Sequence, residues 1–211
     1  MRDFIRRWKD LNELIEILLS QNIQTYIIGG FVKDHIEHSL PRDVDIVVDC
    51  DDENLDSLIT SQVYAYTKNF FHGYKLKLSL DVDIWTLTSH YGINEAELKD
   101  ALFYNYNSIV YNVNTDSIDR EYYDKCINEQ KLDFIGSREL INENPAYVLN
   151  SLRAYILAYE KGFNLSDSVM EYLKDKNVSI TLLKKEYERH YHAKMEQNLC
   201  NYIENFIKHN K

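Results

Sequence analysis

Residues 26–48 read YIIGGFVKDHIEHSLPRDVDIVV. An apolar strand over Thr25–Ile28 runs into Gly29-Gly30, a helical stretch follows from Phe31 to His38, and Pro41 stops it. Asp43 and Asp45 then appear two residues apart in an apolar run, where a strand is expected over Val44–Val48. Strand side chains alternate between faces, so the two acids point one way while Val44 and Ile46 point the other. Two carboxylates held that close repel unless a cation sits with them. A divalent metal meets that need, and Mg²⁺ (or Mn²⁺) suits a carboxylate pair completed by substrate phosphates. The glycines point to the phosphates. A strand, two glycines and a helix start leave bare amides and a positive dipole end, and glycine allows close approach.

A third acid is expected on a neighbouring strand. Residues 79–87, SLDVDIWTL, supply Asp81 and Asp83 on one face of an apolar strand. Asp83 is preferred because it is embedded between Val82 and Ile84, whereas Asp81 also reads as a strand-end residue. Asp43, Asp45 and Asp83 together fit a clamp that activates a hydroxyl and stabilises in-line displacement at phosphorus. Arg42, beside Asp43, is a triphosphate candidate. Lys75 and Lys77 share a strand face just before the Asp83 strand and read either as phosphate contacts or as solvated edge lysines.

The remaining chain frames this site. Its 211 residues, 45% hydrophobic and 27% charged, suffice for one core with a small helical appendage. No apolar run is long enough to span a bilayer, and no signal-peptide pattern opens the chain. Cys50, Cys126 and Cys200 lack paired spacing, which argues against a disulfide framework or zinc site and for a cytoplasmic protein. A net charge of −10 excludes a broad basic surface for duplex nucleic acid. The 17 tyrosines are either half-buried packing residues or base-stacking platforms. Helical spacing is expected over 2–20, 54–61, 94–102, 145–161, 166–174 and 180–208, and strands over 74–80, 82–87 and 108–114. The expected fold is α+β: a mixed head over residues 1–135 followed by an all-helical neck over 136–211. His190 and His192, two apart on a helix, make a poor metal pair, and His35 and His38 read as surface residues.

Residues 29–48 resemble the GGxVRDxLLGxxxxDxDI signature of the class II tRNA nucleotidyltransferase and bacterial poly(A) polymerase superfamily, which has a DNA-polymerase-β-like head. FYNYNSIVYN, residues 103–112, resembles that family's DFTINALAYN, with Asn107 on its asparagine. LRAYILAYEKGFNL, residues 152–165, resembles its LRAxRFAxxLGFxL neck helix, with Arg153 on its arginine. The likeness runs over about residues 24–175. It implies metal-dependent transfer of a nucleoside monophosphate from an NTP to a hydroxyl. By position, Gly29 and Gly30 would hold triphosphate, and Asp43 and Asp45 the metal.

Departures from the pattern are equally specific. Lys33 stands where the family has arginine and loses its bidentate fork. Ala101-Leu102-Phe103 falls where the family has RRD for triphosphate and ribose, and Tyr147 and Asn150 fall on the base-choosing Asp and Arg of EDxxR. The resemblance therefore implies retained chemistry on an NTP without CCA templating. An RNA or tRNA 3′ end is the first acceptor expected. A protein or small-molecule acceptor, or a lapsed enzyme kept as a nucleotide- or RNA-binding module, is the alternative.

Overall fold

The structure, a computed structural model, describes residues 1–62, 65–68, 72–90 and 95–209. The chain divides into two compact units, one of residues 1–102 and 107–123, the other of residues 103–106 and 124–211.

In the first unit the elements run α1 (Arg2–Ile5), α2 (Lys9–Ser20), β1 (Gln24–Ile28), α3 (Gly30–Ile36), β2 (Asp43–Asp49), α4 (Asp52–Ser61), β3 (Tyr66–Lys68), β4 (Tyr74–Lys77), β5 (Asp81–Thr86) and α5 (Leu87–His90). A 3₁₀ stretch (Glu95–Ala101), β6 (Val110–Asn112) and β7 (Ser117–Asp119) complete it. The strands form one sheet in the order β3-β4-β5-β2-β1-β6-β7. All its pairings are antiparallel except β2 with β5. That parallel pair at the centre puts the two acid-bearing strands side by side with their starts aligned.

The expected helix over 2–20 breaks at Trp8, whose backbone is extended (φ −110°, ψ 102°). The break lets the Trp8 ring meet Phe4 and Phe31, at 5.1 and 5.6 Å between centroids. Aromatic packing outweighs one turn of continuous helix here. The 94–102 helix is a 3₁₀ stretch over its described part, Glu95–Ala101; Asn94 lies outside the described residues.

α6 (Glu121–Glu129) carries the chain into the second unit, which continues with β8 (Lys131–Leu132), α7 (Arg138–Glu143), α8 (Tyr147–Lys161), β9 (Asn164–Leu165), α9 (Asp167–Lys176), α10 (Ile180–Tyr191) and α11 (Gln197–His209). Ser166 and Ser179 cap α9 and α10 by accepting from the Val169 and Leu182 amides. Leu152, Ala154, Val169, Leu183 and Ile203 are fully buried within this unit.

Two expectations are corrected here. The neck is not all-helical, because β8 and β9 pair in parallel. Gly162, left-handed at φ 70°, ends α8, and Phe163 is buried. The extended backbone beyond it pairs its amides, Asn164 N–H to Gln130 C=O at 2.9 Å and Ser166 N–H to Leu132 C=O at 3.0 Å. Buried backbone groups left unpaired would be costly. The long helix expected over 180–208 is two helices, since His192 adopts a left-handed cap (φ 53°) that closes α10.

The tyrosines go chiefly into packing. Tyr26, Tyr74, Tyr104, Tyr106 and Tyr111 are among the largest fully buried side chains. Within the second unit Tyr104 stacks on Phe134 at 5.2 Å, and Tyr172 meets Phe134 edge-on at the same distance. Among the described residues no helix is long and apolar enough to cross a membrane.

Candidate active site

β2 answers the question its sequence raises. Val44, Ile46 and Val48 are buried at 1%, 0% and 0% exposure, while Asp43 and Asp45 are only partly covered. One face of the strand faces the core and the other carries the acids.

The sheet register multiplies this pattern. In the parallel β2–β5 pair Asp43 lies opposite Asp81 and Asp45 opposite Asp83. Neighbouring strands are about 4.8 Å apart and alternate residues about 6.6 Å. Four carboxylates thus share one patch of a single face. Beyond them the same face turns apolar: Tyr26, Ile28, Val47 and Trp85 form a buried cluster with Leu87 and Leu98.

β4 supplies cations. Its antiparallel register places Lys75 opposite Asp83 and Lys77 opposite Asp81. The Lys75 ammonium lies 3.2 Å from Asp83 Oδ2, and Lys77 lies 2.8 Å from Asp81 Oδ1. Partial burial works against the Lys75 charge, but Asp83, Asp81 and Asp43 outweigh it and raise the lysine pKa. Arg42 stands 3.9 Å from Asp43, with both side chains about half exposed. A pair so exposed is worth little by itself.

The Gly-Gly turn precedes this patch. Gly29 has φ 65° and ψ −124°, a conformation that side chains rarely adopt, and it caps α3. Its own amide is spent on the Ile109 carbonyl at 2.9 Å. The contribution of Gly29 is therefore the turn itself, while the bare amides are those of the first turn of α3 that follows. Asn107 flanks the turn: a Cβ built on Gly29 would meet its carbonyl oxygen at 3.8 Å. Gly30 has open space around its Cα and no positive φ. Gly29→Ala is accordingly expected to lose about 1–3 kcal/mol through backbone strain, seen as a fall in Tm of about 2–4 °C per kcal/mol. Gly30→Ala should leave Tm unchanged. Equal Tm values for the two variants would contradict the strained turn.

Lys33 lies on α3 with its ammonium 3.4 Å from Asp34, both side chains about four-fifths covered. Ser39 also donates to Asp34, at 3.0 Å. His35 is half-buried against the Phe4 ring at 4.7 Å, and burial first, then nearby positive charge, lowers its pKa. It is a packing residue rather than the surface residue expected.

Three candidates belong to the second unit. Tyr147 opens α8, is 39% exposed, and has the Lys176 ammonium 5.9 Å from its ring centroid. Asn150 is buried at 4% exposure, and its backbone carbonyl accepts from the Tyr104 hydroxyl at 3.0 Å. Arg153 lies one turn further on and is near enough to act electrostatically on Tyr104 and Glu186.

Among the described residues no three His, Cys, Asp or Glu side chains converge as a ready-made metal cage. Asp83, expected with Asp43 and Asp45 as a ligand, forms an ion pair with Lys75. The donor set still suits Mg²⁺, which takes one or two carboxylates plus phosphates and waters rather than an all-protein cage. The pairing of Lys75 with Asp83 was missed in the sequence. Its trace there is the Lys75-x-Lys77 spacing ahead of Asp81-x-Asp83, which the three-residue loop 78–80 brings into register. The thiols of Cys50, Cys126 and Cys200 are free.

No protein-family model matches the chain, and no curated protein sequence matches it. Solved structures do. A complex of a CCA-adding enzyme with CTP superposes with a TM-score of 0.66 at 18% identity, over 92% of this chain and 48% of that one. The Thermotoga maritima CCA-adding enzyme complexed with tRNA-CCA gives 0.69 at 18% identity, over 94% and 51%. A tRNA-processing enzyme with CTP gives 0.68 at 20% identity, over 93% and 57%. The chain thus spans about half the length of the solved structures it matches. At these identities the likeness establishes the fold that the chain shares with these structures: an α+β head with a mostly antiparallel sheet, and a helical part.

Proposed function

We propose that this protein is a metal-dependent nucleotidyltransferase. It moves a nucleoside monophosphate from an NTP to an acceptor hydroxyl, with an RNA 3′ end, tRNA first, as the acceptor. The observation that carries this reading is the partly exposed patch of Asp43, Asp45, Asp81 and Asp83 on the strands that follow the Gly-Gly turn. The fold likeness to CCA-adding enzymes and tRNA-processing enzymes supports it.

Asp43 and Asp45 would hold Mg²⁺ or Mn²⁺ together with the triphosphate. When bound, the ion screens the triphosphate charge and polarises the α-phosphorus. Gly29 sets the turn, and the α3 amides from Gly30 onward donate to phosphate oxygens. Lys33 and Arg42 add positive charge on that side, and Asn107 flanks the turn. The acceptor oxygen attacks the α-phosphorus and a new P–O bond forms. The bond to the bridging oxygen breaks, pyrophosphate leaves with its electron pair, and the acceptor proton passes to Asp83.

Base templating is not part of the proposal. Tyr147 can stack on any base, and asparagine offers one donor and one acceptor edge. Neither is a charged fork able to switch between cytosine and adenine, and Asn150 is buried. Arg153 retains the charge of the resembling neck helix. Truncated tRNA given all four NTPs is therefore expected to gain one modestly favoured nucleotide or a short homopolymer, never ordered C-C-A. Sequencing of product 3′ ends checks this, and clean CCA ends would overturn it.

The test of the function itself is incubation with each labelled NTP, Mg²⁺, total cellular RNA and protein. Label in RNA supports the proposal. Label only in protein or a small molecule moves the acceptor, a reading that the net charge of −10 favours over extended RNA contact. No label in any fraction leaves a nucleotide- or RNA-binding module. Ala101-Leu102-Phe103, in place of charged residues, favours that second reading.

A further inference from the structure

The lysines of β4 distinguish the two acid pairs. Each β5 acid has a lysine opposite it in register, Lys75 for Asp83 and Lys77 for Asp81. On the other side of the patch β1 brings no lysine: Ile28 lies opposite Asp45. The four carboxylates and the two β4 ammoniums sum formally to two negative charges, and both ammoniums lie on the β5 side.

We propose that Lys75 is a built-in counter-cation that withdraws Asp83 from metal ligation, so that the acid face takes one divalent ion per bound triphosphate, on Asp43 and Asp45. This rests on the nucleotidyltransferase reading above. The Lys75 ammonium lies 3.2 Å from Asp83 Oδ2, and the Asp83 side chain is only 24% exposed. A second ion at Asp83 would have to displace that ammonium or sit against it, and two cations held against one carboxylate repel. The lysine cannot simply swing away at no cost, because the β4–β5 register directs its stem along the same face. Asp83 stays oriented as an acceptor for the incoming hydroxyl, and Lys75 acts through it as a positioning residue.

The test counts ions rather than turnover. Mn²⁺ bound per chain is measured by electron paramagnetic resonance, with an NTP analogue carrying a non-hydrolysable α,β-methylene bridge at saturation. The full chain should bind one Mn²⁺, Lys75→Arg one, and Lys75→Met two, the second on the released Asp83. Asp43→Asn/Asp45→Asn should bind none. Lys75 is 41% exposed at its side chain, so neither replacement buries a new group. Two ions on the unmodified chain, or one on Lys75→Met, would overturn the role of Lys75 while leaving the metal site intact. No ion on the unmodified chain would overturn the nucleotidyltransferase reading and this inference with it.

Discussion

Asparagine at both Asp43 and Asp45 is expected to remove divalent-metal binding in the presence of NTP and to lower nucleotidyl transfer by about 10³-fold or more. A bound ion contributes several kcal/mol of charge stabilisation to such a displacement, and each ~1.4 kcal/mol is one decade of rate. The change is close to isosteric, so the sheet should survive it. Val44, Ile46 and Val48 hold β2 from the opposite face. Removing two of four neighbouring carboxylates also relieves repulsion, so Tm should hold or rise slightly. Calorimetric titration with Mn²⁺ and NTP reads the binding, and a single-turnover assay reads the rate. Equal metal affinity for the unmodified chain and the double variant would show that the acid pair serves some other purpose.

How much of this was legible in the sequence differs by element. β2 and β5 were readable because apolar residues alternate with acids over several positions, and a buried sheet face enforces that period. The pairing of β2 with β5 in parallel, which sets Asp45 beside Asp83, has no local signal; it depends on strand order in the folded sheet. The Gly-Gly turn was readable as a turn. That Gly29 spends its amide on Ile109 was not, since the partner lies 80 positions away. The break at Trp8 and the left-handed cap at His192 were missed for a shared reason. Helical periodicity continues across each, and tertiary packing or a single backbone angle ends the helix. β9 was missed because two residues carry no periodicity at all. The burial of Asn150 has the same cause: the resemblance places it by register alone, and no local signal shows that α8 turns it inward, where its backbone carbonyl accepts from the Tyr104 hydroxyl.

Asp83→Asn should separate chemistry from binding. Asparagine keeps an oxygen that the Lys75 ammonium can still donate to across 3.2 Å, so the local arrangement is retained. What is lost is the capacity to take a proton from the acceptor hydroxyl. Loss of general-base assistance costs about 10²–10⁴-fold in turnover. NTP affinity should change by no more than a few-fold, because triphosphate and metal are assigned to the Gly-Gly turn, Asp43 and Asp45. Asp81 provides the control on the same strand. It faces the same way, is the more exposed of the two at 39%, and is paired with Lys77 at 2.8 Å. Its register partner is Asp43 at the start of β2, whereas Asp83 lies beside Asp45. Asp81→Asn should therefore leave turnover within a few-fold of the unmodified chain. Single-turnover rates and equilibrium nucleotide binding, measured on both variants, decide the assignment. A damaging Asp81→Asn with a harmless Asp83→Asn would move the proton acceptor to the start of the strand. The ion pair with Lys75 would then be a structural contact of the hairpin.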